Sequence, residues 1–435
     1  MMKMNRLIIL VLLLLPAKEL LAQIEGASQS RSGSFYSLFG VGFPTDNNNT
    51  RELGLGILGV SLDNMDSNSL QNPALWGKNF LTTASTGFNL SQFRATGSSS
   101  KSVNQLLEAG YLQVTFPVIR EKLGISGSVY SVTRSNYRFV NIDSTVSSPD
   151  NVINYASDVR GAGGINKIEA GIGWTINKNI SVGYAPSLTF ISQNNSEDVF
   201  FSQSGYTTSN SDSKVTGTTI GHRFGALFSF NNLFRSNDRI SLGASATLPI
   251  TIDAQEKTTV TKFVNGQEQE VPLRGAQEGE ITLPLEINAG LTYYPTSLVN
   301  FSLEGLYEQW SDYESAFDPN SELSYMSDRI KAGLGAEYHP YRTNSSSFWS
   351  NFRYGGGISY DSGHLNIEGQ DISTLWFSAG LGIISPDPRS RSSVDISIRY
   401  GLRGTTNNNL IREKIWALNL SINLSELMFF RQKLN

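Results

Sequence analysis

Three side chains in this chain of 435 residues could move a proton near neutrality: His222, His339 and His364. A histidine that activates a hydroxyl needs it within hydrogen-bond reach, and lipid hydrolases built on membrane barrels commonly place a serine two residues on. Those positions hold Phe224, Tyr341 and Asn366, so no catalytic residue is assigned and an enzyme is not expected. The histidines have no helical or short-range partner for zinc. Cysteine is absent, which removes disulfides, thiolate nucleophiles and Cys-ligated metals. Gly54, Gly56 and Gly59 satisfy a dinucleotide-type GxGxxG, yet no alternating strand and helix pattern surrounds them. The stretch 63–74 faintly matches a calcium loop, but Asn68 stands where glycine is needed and Ala74 where the bidentate glutamate would be. No metal, cofactor or nucleotide is implied.

The remaining polar chemistry is carried by strands. Trp416, Leu418, Leu420, Ile422 and Leu424 alternate with Ala417, Asn419, Ser421, Asn423 and Ser425. Side chains on a strand have period two, so one face is apolar and the other polar. Ile168, Ala170, Ile172, Trp174 and Ile176 repeat the pattern against Lys167, Glu169, Gly171, Gly173 and Thr175. Strands of soluble sandwiches are usually ~5–6 residues long, whereas tilted membrane strands need ~9–11, and these runs are of the second kind. The pattern predicts an all-β fold, a transmembrane antiparallel β-barrel of about 14 strands. They fall at 82–95, 106–118, 123–138, 166–176, 179–193, 217–231, 238–252, 282–294, 298–312, 328–339, 350–360, 374–384, 393–403 and 412–425. Short connectors alternate with long polar ones such as 140–165, 194–216 and 253–281, the asymmetry of periplasmic turns and external loops. Within the last, 257–263 and 267–271 flank Asn265-Gly266 and read as a projecting hairpin.

Charge sorts by face. Ile240, Leu242, Ala244, Ala246, Leu248 and Ile250 form an uncharged outward set, whereas Glu169, Glu286, Glu304, Glu308, Lys331, Glu337, Asp395, Arg399 and Arg403 fall on the alternate positions. A cation facing lipid at mid-depth costs about 2–4 kcal/mol, which assigns these charges to the lumen. Glu286, Glu304, Glu308, Lys331, Arg399 and Arg403 are the candidates either to brace a plug or to meet a ligand's polar head, with bracing favoured. Gly171, Gly173, Gly243, Gly333, Gly335, Gly380 and Gly382 also fall inward, where a second backbone can approach closely or the wall can curve. Pro249 and Pro284 remove ladder donors inside predicted strands and mark a bulge or a gap in the wall.

The N-terminus gives the destination. Lys3 and Arg6 precede an unbroken apolar run over 7–16, and Ala22 offers a small residue for cleavage. Residues 1–22 are therefore expected to be a signal peptide, too short in its apolar run to span a bilayer as a helix. Cleavage leaves 31 basic against 37 acidic residues, which argues against a nucleic-acid partner. Mean hydropathy is only −0.20, because the lumen face dilutes the lipid face. The expected organisation is a segment at 23–79 that does not alternate well, a barrel at 80–426 and a periplasmic tail at 427–435, placed in the cell outer membrane among its lipids.

Residues 34–42 lead to the glycine-rich 53–61, then to Asp63, Ser67, Ser69 and Asn72-Pro73-Ala74 before the first strand. With Leu283-Pro284, Gly290, Tyr293-Tyr294, Leu303-Glu304-Gly305 and Trp310-Ser311 downstream, the chain resembles the FadL family of outer-membrane transporters for hydrophobic compounds. The close, from Leu424-Ser425-Glu426 to Lys433, is similar to FadL-like tails of the Bacteroidetes group. The resemblance implies an N-terminal hatch inside a fourteen-stranded barrel, with Asn72, Pro73 and Ala74 as its hatch motif, and passive uptake of a hydrophobic small molecule, fatty-acid-like or aromatic. It also implies an alternative, a PorV-like partner or shuttle barrel of a type IX protein secretion system. Leu75 departs from the family pattern, where many members carry glycine.

Overall fold

A computed structural model describes residues 32–64, 69–98, 100–148, 151–202, 208–264, 267–273, 275–318, 324–340, 348–385 and 390–427. The expected signal peptide and nearly all of the expected tail lie outside them, as do Ser67 and Asn265-Gly266. Fourteen antiparallel strands close into a barrel. They are β1 (Thr82–Thr96), β2 (Lys101–Ile119), β3 (Leu123–Ser131, Thr133–Arg134 and Tyr137–Ser148), β4 (Asn151–Asn177), β5 (Ile180–Phe201), β6 (Ser209–Asn231) and β7 (Arg239–Thr247 and Ile250–Val264). There follow β8 (Gln267–Pro272, Gln277–Leu283 and Glu286–Thr296), β9 (Val299–Glu308), β10 (Arg329–Tyr338), β11 (Phe352–Asp361), β12 (Thr374–Ile384), β13 (Ser393–Arg403) and β14 (Arg412–Glu426). β14 pairs with β1 from Thr82↔Glu426 to Thr96↔Arg412 and completes the ring.

The alternation decides which way each side chain points. In β14 Trp416, Leu418, Leu420 and Ile422 are exposed on the outer face, while Ala417, Asn419 and Ser421 are buried inward. In β4 Ile168, Ile172, Trp174 and Ile176 face out, and Lys167, Glu169 and Thr175 are buried. No helix among the described residues is long and apolar enough to cross a membrane; the apolar outer band belongs to strands.

Three expected long loops are largely strand. β4 has 27 residues, β5 22 and β6 23, against 10 to 11 for β9 to β13. A strand of 27 residues is roughly 90 Å long, so one side of the barrel rises well past the apolar band. Here the outer face meets water, apolar and polar residues no longer alternate, and the sequence carries no period-two signal although the ladder bonds continue. The expected hairpin forms, with Thr259↔Pro272 to Val264↔Gln267 paired, but it does not project freely, because β7 also pairs with β6 from Asp253↔Thr218 to Thr261↔Asn210.

Described residues 33–64 and 69–79, within the segment expected to be the hatch, are largely buried against the inner face of the wall. They form a 3-10 turn (Phe35–Leu38), a two-residue strand (Phe43–Pro44), a helix α1 (Thr50–Leu55) and a second 3-10 turn (Pro73–Lys78). α1 is too short to hold itself. It has a full capping box, Asn49 accepting from Glu52 N–H and Glu52 from Asn49 N–H, and ends at Gly56 in the left-handed region. Above the hatch, Ser324–Met326, Leu365–Ile367 and Gln370–Asp371 form a small lid sheet. Leu365, Ile367 and Ile372 pack there on Tyr36, Phe39 and Phe43.

Candidate functional site in the plugged lumen

The Asn-Pro-Ala motif is a joint between hatch and wall. Asn72 is fully buried; its Oδ1 accepts from Ala74 N–H at 3.0 Å and caps the turn that Pro73 begins, while its Nδ2 donates to Val60 O at 2.8 Å and Ala226 O at 3.0 Å. A Cβ on Gly183 would lie 2.3 Å from Pro73 C, and one on Gly225 2.2 Å from Asn72 Oδ1, so only glycine lets the wall come this close. Of the seven glycines expected to face inward, Gly173, Gly243, Gly333, Gly335 and Gly380 abut hatch backbone. Gly171 and Gly382 meet the wall itself, at Tyr184 O and at the Asp395 and Arg353 side chains.

Most of the lumen charges brace. Glu304 accepts from four hatch amides, Leu58, Gly59, Val60 and Ser61, and from the Ser61 hydroxyl at 2.6 Å. Lys331 pairs with Asp46 of the hatch, and Arg399 Nη1 meets the same carboxylate at 2.8 Å while its guanidinium lies 4.1 Å over the Trp376 ring. Burial alone would raise the Asp46 pKa, but Lys331 and Arg399 outweigh it and hold the group well below the usual carboxylate range. Arg403 reaches Ser34 Oγ at 3.0 Å and Glu413 at 3.4 Å, and lies over Phe43. Glu308 holds a wall residue, Arg329, at 2.8 Å, which is itself bidentate on Asp361 at 2.9 and 2.7 Å. Glu286 accepts from Asn288 at 2.7 Å.

Sequence reasoning did not find the opposite partners: Asp46, Arg51 (2.6 Å from Glu337), Glu413 (holding Ser34 Oγ at 2.7 Å and Phe35 N–H at 2.8 Å) and the buried Arg223 on Leu70 O. Their signal is distance in sequence, since each bond spans more than 150 residues. The histidines stay apart. His222 meets Tyr184 at 2.8 Å on the outer face. His364 is buried in the lid between Phe43 and Trp310, and burial, reinforced by Arg329, pushes its pKa down to about 3, so the ring is neutral.

The wall is interrupted, though not where the prolines suggested. Pro249 and Pro284 do break β7 and β8, but Leu248 N–H still donates to His222 O at 3.0 Å and Gln309 N–H to Leu285 O at 3.0 Å. The break lies at β3. β2 pairs with it only from Tyr111↔Tyr130 to Ile119↔Leu123. Above that point Phe43–Pro44 of the hatch takes the place of β2, pairing with Arg134 and Thr133. Arg134 bridges back to Glu108 at 2.9 Å and to Ala109 O at 2.9 Å. Behind the split lies a cavity of about 140 Å³ between hatch and wall, lined by Phe43, Leu70, Tyr111, Tyr130, Trp376 and the Asp46 and Arg399 pair.

The BamG family model matches residues 4–435. The chain belongs to the BamG family. Among solved structures it is similar to a FadL homologue of Pseudomonas aeruginosa, with a TM-score of 0.57 and 12% identity over 88% of this chain and 99% of that one. It is similar also to the toluene transporter TbuX of Ralstonia pickettii (TM-score 0.55, 12% identity, 87% of this chain and 98% of that one). The toluene transporter TodX of Pseudomonas putida gives a TM-score of 0.54 and 12% identity, over 88% and 99%. At such identities the likeness is one of fold, and it agrees with the resemblance carried by the glycine run and the Asn-Pro-Ala motif. No curated protein sequence matches the chain.

Proposed function

We propose that this chain is an outer-membrane barrel that passively conducts a hydrophobic small molecule of about the size of one aromatic ring, held between hatch and wall and released through the split beside β3. The cavity carries this reading. Its volume of about 140 Å³ is close to that of an engineered cavity of about 150 Å³ that accepts benzene, and Phe43, Phe93, Tyr111, Tyr130 and Trp376 give it aromatic surface within a lining that is otherwise largely polar. It reaches the wall at Leu106, Gly110, Ser131 and Asn136, the residues on either side of the interrupted pairing. The toluene transporters that share the fold support an aromatic ligand by analogy. The charges that line it are paired, Asp46 with Arg399, Glu108 with Arg134 and Asp361 with Arg329, which lowers the cost of placing an uncharged ring beside them. The channel needs no enzyme chemistry, cofactor or nucleotide, and its surroundings are outer-membrane lipids.

The test is binding of toluene-sized and fatty-acid-like probes to the purified protein. Affinity that survives high salt supports apolar burial as its source, and Trp376→Ala should weaken aromatic probes by roughly 3- to 10-fold. In a strain lacking the gene, uptake of such compounds should fall while the surface proteome stays intact. Normal uptake across a broad panel, with exported proteins depleted from the surface, would overturn the reading in favour of the PorV-like secretion partner.

A further inference from the structure

Between its aromatic surfaces the cavity holds a pair of carboxamides. Asn89 of β1 and Asn419 of β14 stand directly opposite each other in the register that closes the barrel, and both line the cavity with Ser91, one inward position further along β1. Side chains so paired have Cβ atoms about 4.5–5.5 Å apart. Asn419 is buried, and its Nδ2 donates to Ser397 Oγ at 2.9 Å, which pins the carboxamide with Oδ1 turned the other way. Asn89 is half-buried and owes its room to β2. There Gly87 faces Tyr111 and Phe88 faces Ala109, so Gly110 is the extra residue of a β-bulge, and a Cβ on it would lie 3.2 Å from Asn89 Nδ2. Apolar clusters flank the pair, Leu70, Tyr111 and Tyr130 on one side and Phe93, Trp376, Ile415 and Ala417 on the other. The Tyr111 hydroxyl is spent on Ser85 at 2.9 Å and that of Tyr130 on Glu169 at 3.2 Å, so the two tyrosines offer ring surface.

Resting on the reading of this cavity as a ligand site, we propose that its ligand is a single aromatic ring carrying one uncharged hydroxyl group, a phenol, and not a plain hydrocarbon or a carboxylate. A hydrocarbon would desolvate the Asn89 and Asn419 carboxamides and offer them no partner, which is costly for a buried amide. A carboxylate would bring a charge into a space whose own charges are closed into the Asp46–Arg399, Glu108–Arg134 and Asp361–Arg329 pairs, where it finds no counter-ion. A hydroxyl both donates and accepts, and each carboxamide presents an acceptor and a donor group. The spacing agrees. Successive inward positions on a strand are about 6.6–6.8 Å apart, so Gly87, against which Tyr111 packs, lies one step below Asn89, and Phe93 lies two steps above it. A ring of benzene's size can rest on either cluster with its substituent at the carboxamides.

The probe p-cresol differs from toluene by the hydroxyl alone and stays uncharged at neutral pH, since a phenolic pKa is about 10. Binding of toluene, p-cresol and benzoate is measured on the full-length protein in nanodiscs, against empty nanodiscs. On the parent protein p-cresol should bind roughly 2- to 10-fold more tightly than toluene, and benzoate roughly tenfold or more weakly than p-cresol. Asn89→Leu keeps the size of the side chain and removes its polar groups. It should shift the ratio of p-cresol to toluene affinity toward toluene by roughly tenfold, with heat-modifiable migration verifying that the variant barrel is folded. Toluene binding as tightly as p-cresol, benzoate matching p-cresol, or a ratio unmoved in folded Asn89→Leu would each overturn the phenol and leave a ring-sized ligand in place. Binding of none of the three would overturn the proposed function together with it.

Discussion

Glu304 tests whether the hatch is a fixed plug or a loosely seated one. Its two oxygens are surrounded by donors: the N–H groups of Leu58, Gly59 and Val60 on one, the N–H and hydroxyl of Ser61 on the other. Neither oxygen leaves room for a proton or for an amide NH2. Glu304→Gln should therefore be nearly as damaging as Glu304→Ala, which is unusual for so conservative a change. A hydrogen bond to a charged acceptor contributes about 1.5–3 kcal/mol, and five such bonds taken at face value exceed what a local contact can hold. Water entering the vacated space restores part, and breaking a buried charge interaction costs about 3–5 kcal/mol. The loss falls on the hatch, because the wall keeps its pairing with β8 and β10 on both sides of Glu304. At about 1.4 kcal/mol per factor of ten, the amides of residues 58–61 should exchange roughly 10²- to 10³-fold faster in both variants. Heat-modifiable migration of the barrel should be retained, and ion conductance in planar bilayers should rise. Exchange at 58–61 that stays within about threefold of the parent would refute the assignment of Glu304 as the principal clamp.

Acid should loosen the hatch at Asp46: its folded pKa lies below the unfolded value, so the stabilisation is fully present above the ordinary carboxylate range and is lost as pH falls below it. Conductance against pH measures this, and Asp46→Asn should show the loosened state at neutral pH. Glu52 has the opposite sign, because burial raises its pKa despite the Asn49 amide bonds, so its contribution is fully present below the ordinary range and declines as pH rises; Glu52→Gln should flatten that limb in hydrogen exchange of α1. Leu420 faces lipid and Ser421 is fully buried against the lumen filling, so Leu420→Arg should cost about 2–4 kcal/mol of membrane assembly and Leu420→Phe almost none, read as the fraction of heat-modifiable protein.

The membrane part of each strand was legible because two different solvents impose the period. β12 and β13 begin and end at the expected residues, Thr374–Ile384 and Ser393–Arg403. Where both faces leave lipid the constraint vanishes, and the upper parts of β4, β5 and β6 read as loops although their ladders run on unbroken from Tyr155↔Phe201 to Glu169↔Ser187. The lumen shows the same division. A charge at an inward position announces burial, as at Glu304, Lys331 and Arg399, but a bond to Leu58 or Asp46, more than 240 residues away, leaves no local mark.

The split illustrates why a rule of local chemistry can point to the wrong place. Proline removes one donor, and at Pro249 and Pro284 the two breaks lie opposite each other, between Thr247↔Glu286 and Ile250↔Leu283, so flanking bonds carry the wall across. The real interruption needs no proline, because it is a competition between partners. β3 above Ser131 bonds to Phe43–Pro44, and β4 accommodates the inward turn through positive φ at Gly163 and Gly164. There a Cβ would strike Ser192 O at 1.9 Å and Thr133 O at 2.4 Å. Gly164 is therefore the cheapest place to close the split by mutation. Gly164→Val adds a clash with β3 at a left-handed position that a β-branched residue avoids, and should drive Thr133–Arg134 off its hatch partner. Cavity access should change while the strands below Ser131 keep their register. The readout is accessibility of a Tyr130→Cys thiol to a small maleimide, which should differ severalfold from the parent. Unchanged labelling would mean that the hatch, and not the bend in β4, holds β3 away from β2.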